Sequence, residues 1–186
     1  MKKIVFLLAA CLFFSCDDGD LTIEEIDLET TASVQACTTL NNAIPAGTTL
    51  VFKINGGETL ILELPATLLI NEATTTEENE DGDFIPVPRT AALNSQASCY
   101  YRSFESSISN AYFCDQLPSD IAITLEYLAV SGTVEVISVP VLDAETMEII
   151  EYNHTITFKE VVFTGTNGQD VRYSEFDFGD VSTFVE

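Results

Sequence analysis

Apolar and polar residues alternate with a period of two over most of the chain. Leu50, Phe52 and Ile54 alternate with Val51 and Lys53, and Leu60, Leu62 and Leu64 alternate with Thr59, Ile61 and Glu63. Asn55-Gly56-Gly57 lies between the two runs and tolerates the backbone of a tight turn, so the pair predicts a β-hairpin. Pro65 interrupts, and residues 67–71 read as a third short strand. Residues 72–83 are polar and acidic and predict an exposed loop, with Pro86 and Pro88 favouring an extended edge after it. Residues 98–105 read as another strand and 106–119 as irregular chain.

The C-terminal half is more regular. Ile121, Ile123, Leu125 and Tyr127 alternate with polar residues, as do Val134 and Val136 after Gly132. A turn near 143–146 leads to a returning strand over 149–158, which continues through 161–164 past a bulge near Lys159-Glu160. Asn167-Gly168 predicts a second tight hairpin, followed by a strand carrying Val171, Tyr173, Phe176 and Phe178. The phase slip between Tyr173 and Phe176 predicts a bulge. Long amphipathic helices and fixed-period repeats are absent from the pattern. The fold class expected is all-β, an antiparallel β-sandwich of the Ig-like or Greek-key type with about seven to nine strands. A closed β-barrel is the second architecture considered.

Composition adds a lopsided charge. Of 186 residues, 30 are acidic and 7 basic, giving a formal charge of −23, while 46% hydrophobic residues suffice for a packed core. Such a surface repels nucleic-acid phosphates and anionic headgroups, so no nucleic-acid partner is expected.

The first residues follow a different logic. Lys2 and Lys3 precede an uninterrupted apolar run over 4–14, then Ser15 and Cys16. This is the order of a bacterial signal peptide, and the run is shorter than the ~20 residues a membrane span needs. Two cysteines compete for lipidation. Cys11 follows Leu8-Ala9-Ala10, the usual lipobox pattern; Cys16 follows Phe13-Phe14-Ser15. Cleavage before Cys11 would leave a minimal apolar region and strand Leu12-Phe13-Phe14 at the mature end. Cys16 sits where apolar sequence turns to Asp17-Asp18-Gly19-Asp20, and is the lipidation site expected. Loss of residues 1–15 would leave 5 basic against 30 acidic residues, a charge of −25.

Lys-Lys, apolar run, Ser-Cys and acidic stretch together resemble the lipoproteins of Bacteroidota-type, flavobacterial-like bacteria. The resemblance covers about the first 20 residues. It implies an outer-membrane, lipid-anchored protein, with the acidic run associated with the cell surface and the periplasm-facing side as the alternative. The organisation expected is a lipoprotein signal peptide over 1–15, an acidic flexible tether over 16–36, and a single β-sandwich domain over 37–186.

Cys37, Cys99 and Cys114 remain beyond the leader. An oxidising compartment favours one disulfide and one thiol, and spacing does not choose the pair. Tyr101-Arg102-x-Phe104 with Phe113-Cys114-x-x-Leu117-Pro118 resembles an element of uncharacterised lipoproteins of the same group. That resemblance implies a Cys37–Cys114 pair and brings no activity with it.

Candidate chemistry is sparse. His154 is the sole histidine, sharing a strand face with Tyr152, Ile156 and Phe158, and reads as a hydrogen-bonded sheet residue. A Ser-His-Asp triad would need it, but no nucleophile-elbow motif accompanies it. The run over 77–83 offers oxygen ligands without EF-hand spacing, so calcium there would be adventitious, and no cofactor or dedicated metal site is expected. Glu175, Asp177 and Asp180 form a weaker acidic cluster. Tryptophan is absent, leaving Tyr100, Tyr101, Tyr112 and Tyr127 as sugar-stacking candidates that equally read as packing residues. The function expected is a non-enzymatic binding or structural module with an unknown protein or glycan partner. The alternative is a carboxylate-dependent hydrolase or carbohydrate-active accessory protein.

Overall fold

The computed structural model describes residues 31–40, 48–115 and 120–185. The leader, Cys11, Cys16 and the acidic run after it lie outside the described residues. The first hairpin forms as its alternation predicts, β1 (Thr48–Asn55) pairing antiparallel with β2 (Glu58–Pro65) around Gly56-Gly57. Residues 67–71 are not a strand. Once Pro65 removes a backbone donor, Ala66–Leu68 tightens into a 3-10 turn that buries Ala66 and Leu68. The acidic loop carries a small ribbon of β3 (Thr76–Glu78) and β4 (Phe84–Pro86), followed by β5 (Arg89–Ala92) and β6 (Ser98–Phe104). A single turn of helix, α1 (Ala111–Cys114), precedes three long strands, β7 (Ile123–Leu142), β8 (Ile149–Gly165) and β9 (Asp170–Phe184).

The class is all-β as expected, with nine strands among the described residues. Seven form one curled sheet in the order β1-β2-β6-β7-β8-β9, with β5 paired to β7 beyond the end of β6. The sequence reading splits β7 at Gly132, but the strand runs straight through it. Gly132 has φ +123°, and a Cβ there would stand 2.7 Å from the Val161 Cα, so the residue lets the strand bend without ending. Opposite it, Glu160 takes φ 50° in the bulge expected near Lys159-Glu160. The slip between Tyr173 and Phe176 is not a bulge against β8. Val161 pairs with Tyr173 and Phe158 with Phe176, so both strands change phase together, and the register shift falls at Gly179 instead.

Curling brings the two ends of the sheet over one core. Val51 and Leu62 from the first hairpin share a buried cluster with Tyr127, Val136, Phe158, Phe163, Phe176 and Phe178. The rings of Phe158 and Phe176 stack with centroids 4.6 Å apart. Residues 34–40 run along the seam. Gln35 and Phe52 of β1 exchange backbone hydrogen bonds of 2.8 and 2.9 Å, and the Phe184 N–H of β9 donates to the Leu40 carbonyl. Val34 and Ala36, in the segment read as tether, pack against the core, so packing begins about three residues before the expected boundary.

The first hairpin is buried on its second face too. Phe52 meets Phe113 at 4.5 Å, and Phe104 meets Tyr112 edge-on at 4.8 Å. Cys114 closes this patch by a disulfide to Cys37, with Cα atoms 5.2 Å apart, the pair that the family resemblance implies. Cys99 is a buried free thiol whose pKa is raised by burial, which makes it inert as a nucleophile.

Candidate functional site

His154 lies at an inward position of β8, in phase with Ile156 and Phe158, and is fully buried. In the sheet register it stands opposite Ser138 of β7, which continues the inward phase of Val134 and Val136. The Ser138 Oγ is 2.6 Å from His154 Nδ1, and the Thr183 Oγ1 of β9 is 2.8 Å from Nε2. Two further groups extend this line at its ends, Arg89 from the strand beside β7 and Asn71 from the connection after the 3-10 turn. Arg89 of β5 donates from Nη2 to Ser138 Oγ, and Thr183 Oγ1 bonds the Asn71 side-chain oxygen.

Donor and acceptor chemistry fixes every proton in this chain. Arg89 can only donate, so Ser138 Oγ accepts from it and turns its own O–H to Nδ1. At the far end the Phe184 carbonyl can only accept, so the Asn71 amide nitrogen must face it, at 3.1 Å. The Asn71 oxygen then faces Thr183, whose O–H donates to it, leaving Thr183 Oγ1 to accept from Nε2–H. Both ends demand the same ring state: neutral, with the proton on Nε2. Burial foremost, and then the nearby Arg89 charge, lower the His154 pKa to about 4.

The relay also fastens the connection after the 3-10 turn. Arg89 donates to the Leu68 carbonyl at 3.2 Å and through both terminal nitrogens to the Glu72 carbonyl at 3.3 and 3.2 Å. Thr74 N donates to the Ser138 carbonyl at 2.9 Å, while Ser138 N donates to Thr74 Oγ1 at 2.7 Å. The segment 68–74 thus takes over the β7 edge where β5 stops. No buried side-chain nitrogen or oxygen among the described residues lacks a partner.

The Ser138–His154 contact resembles two members of a catalytic triad, but its surroundings do not suit that chemistry. A triad orients its histidine with a carboxylate and opens its serine to substrate. Here a neutral threonine holds the second nitrogen, an arginine occupies the serine oxygen, and Ser138 is 2% exposed. The arrangement joins β5, β7, β8, β9 and the loop at 71–74 by a fully satisfied polar network, which specifies one packing of these segments.

The other candidates are dispersed. In the loop over 77–83, Asn79 Oδ1 accepts from the backbone of Asp81 and Asp83 at 3.0 and 2.8 Å, while the acidic side chains there point to solvent. Asp177 and Asp180 accept from Thr157 and Thr155 at 3.2 and 2.7 Å along the outer face of β8 and β9, and Glu175 pairs with Lys159 at 2.5 Å. No three His, Cys, Asp or Glu side chains among the described residues converge as metal ligands. Tyr101 and Tyr127 are buried edge-on to each other, Tyr112 packs on Phe104 and Phe113, and Tyr100 lies under the Arg102 guanidinium at 5.1 Å. A shallow depression of about 260 Å³ is lined by Ile123, Thr124, Leu125, Glu126 and Thr166.

Sequence reasoning reached His154 and missed Arg89, Asn71, Ser138 and Thr183. The signal available was phase: Ser138 and His154 are polar residues at inward positions of apolar strands. Arg89 and Asn71 carry no such mark, because long-range folding alone brings them near. Compared with protein-family models, curated proteins and solved structures, the chain matches none.

Proposed function

We propose that the chain is an exported lipoprotein, anchored through an acylated Cys16 in an outer membrane, whose β domain is a non-enzymatic binding or structural module at the cell surface. The observation that carries the non-enzymatic part is the closure of the relay. The sole histidine has both nitrogens committed inside the core, with no path from Ser138 to a substrate. The leader and the acidic residues that follow Cys16 support the address. The Cys37–Cys114 disulfide supports an oxidising compartment. The hydrolase alternative needs two carboxylates facing each other across a cleft; Asp177 and Asp180 instead bond threonine hydroxyls on an outer strand face.

Protease treatment of intact cells, with a periplasmic marker as control, tests the surface address. Digestion of the domain while the marker is spared is the expected result. Protection of both would overturn the surface assignment and leave the acidic run after Cys16 as a plain linker.

A further inference from the structure

The β7–β8 hairpin and the end of β9 project past the buried core, and their apolar side chains are in water. Leu142 pairs with Ile149, Phe184 pairs with Glu151, and Val185 N donates to the Ile150 carbonyl, so these residues form one contiguous tip. Met147 is 66% exposed, and Ile150 and Phe184 are each 45% exposed. Ile149 and Ile150 are consecutive strand residues on opposite faces, so both sides of the ribbon are apolar where a solvated ribbon is ordinarily polar. Isolated exposed apolar residues need no explanation, but a contiguous patch of this kind marks an interaction surface.

The charged residues on the tip's own segments are all acidic. Asp143, Glu145, Glu148 and Glu151 surround the apolar tip, and no Lys or Arg occurs between Val139 and Asn153 or after Arg172. Asp143 is fixed in that rim by hydrogen bonds from the Glu145 and Thr146 backbone at 2.9 and 2.8 Å.

We propose that this tip is the docking surface for a protein partner that presents an apolar patch rimmed by lysine and arginine. Apolar contact would supply the burial and the carboxylates would select and orient the partner by charge. A second copy of the chain fits poorly, because tip-to-tip contact would set four carboxylates against their equivalents. An anionic membrane is disfavoured for the same reason. The proposal deepens the binding-module reading and is independent of the anchor, which the protease experiment tests separately.

The test uses the chain from residue 16 onward, with Cys16→Ser so that no acyl group is added. Its probes are a labelled amphipathic Leu/Lys peptide and a Leu/Glu peptide of equal apolar content, read by fluorescence anisotropy. The Leu/Lys peptide is expected to bind and the Leu/Glu peptide not to. Met147→Ser with Ile150→Ser, and separately Glu148→Lys with Glu151→Lys, should each weaken binding about tenfold. Glu58→Lys with Asp120→Lys, at the opposite end of β7 where that strand pairs with β6, should leave binding unchanged. These substitutions are at exposed or half-buried positions, and matching thermal melts establish that each variant is folded. Equal losses from the Glu58 and Asp120 pair would overturn the proposal in favour of general charge attraction. Dimerisation abolished by the tip variants would overturn it in favour of a second copy, and tip-dependent binding to zwitterionic vesicles in favour of a membrane.

Discussion

A neutral imidazole held between Ser138 and Thr183 makes the stability of the protein depend on pH. The fold disfavours the ring's protonation, lowering its pKa to about 4 from an unfolded value near 6.5, so the unfolded chain binds the extra proton between those limits. The contribution is whole above pH 6.5 and is lost as pH falls toward 4, by roughly 3 kcal/mol in total. Asp143 acts lower still. Hydrogen bonds from the Thr146 backbone, then the Glu145 backbone, then the Thr146 hydroxyl hold its carboxyl below the usual range. Urea denaturation at pH 7 and pH 4.5 should therefore show a smaller loss of stability in His154→Gln than in the parent. An equal loss in both would place the acid-sensitive group elsewhere. Arg89→Met should cost about 2–4 kcal/mol at neutral pH, since it orphans the Leu68 and Glu72 carbonyls along with Ser138. It should also raise the His154 pKa, because the neighbouring positive charge is gone, and an imidazole titration followed by NMR reads that shift directly.

Single elements show where pattern suffices and where it does not. The hairpin β1–β2 was legible because alternation and a glycine turn agree, and β8 was legible through its bulge because Phe158 and Val161 display the phase change. The continuity of β7 was not legible. Gly132 reads as a stop in one dimension, and only the closeness of Val161 reveals a bend inside a continuous strand. Residues 67–71 were misread because a short apolar run after Pro65 has too few positions to separate a strand from a turn. Gly132→Ala should destabilise by about 3 kcal/mol or more, since the left-handed backbone and the contact with backbone atoms of β8 both oppose a methyl group. A melting temperature within 1–2 °C of the parent, roughly the effect of a few tenths of a kcal/mol, would contradict that reading of the bend. The Cys37–Cys114 link closes a loop of 77 residues, worth roughly 4 kcal/mol by restricting the unfolded chain. The double variant Cys37→Ala with Cys114→Ala should lose about that much in chemical denaturation, and reduction of the parent should reproduce the loss.

Across the whole molecule, a strongly acidic exterior meets few cations, and among the described residues Lys53 is the buried one. Arg89 serves the relay, Arg102 bonds Glu126 at 2.6 Å, and Lys159 and Arg172 bond Glu175 and Asp170. Lys53 is buried near the seam, where burial lowers its pKa and Asp177 across the seam partly restores it. The strap over 34–40 joins both edges of the curled sheet, so the segment expected as tether reaches the domain at that seam. The proposed address rests on the leader and the acidic run after Cys16, with the Cys37–Cys114 disulfide consistent with an oxidising compartment. Mass spectrometry of the N-terminal peptide from membrane-extracted protein tests the anchor most directly. The account predicts a mature chain that begins at Cys16 and carries acyl groups on that residue. An unacylated chain, or one beginning anywhere other than Cys16, would contradict it.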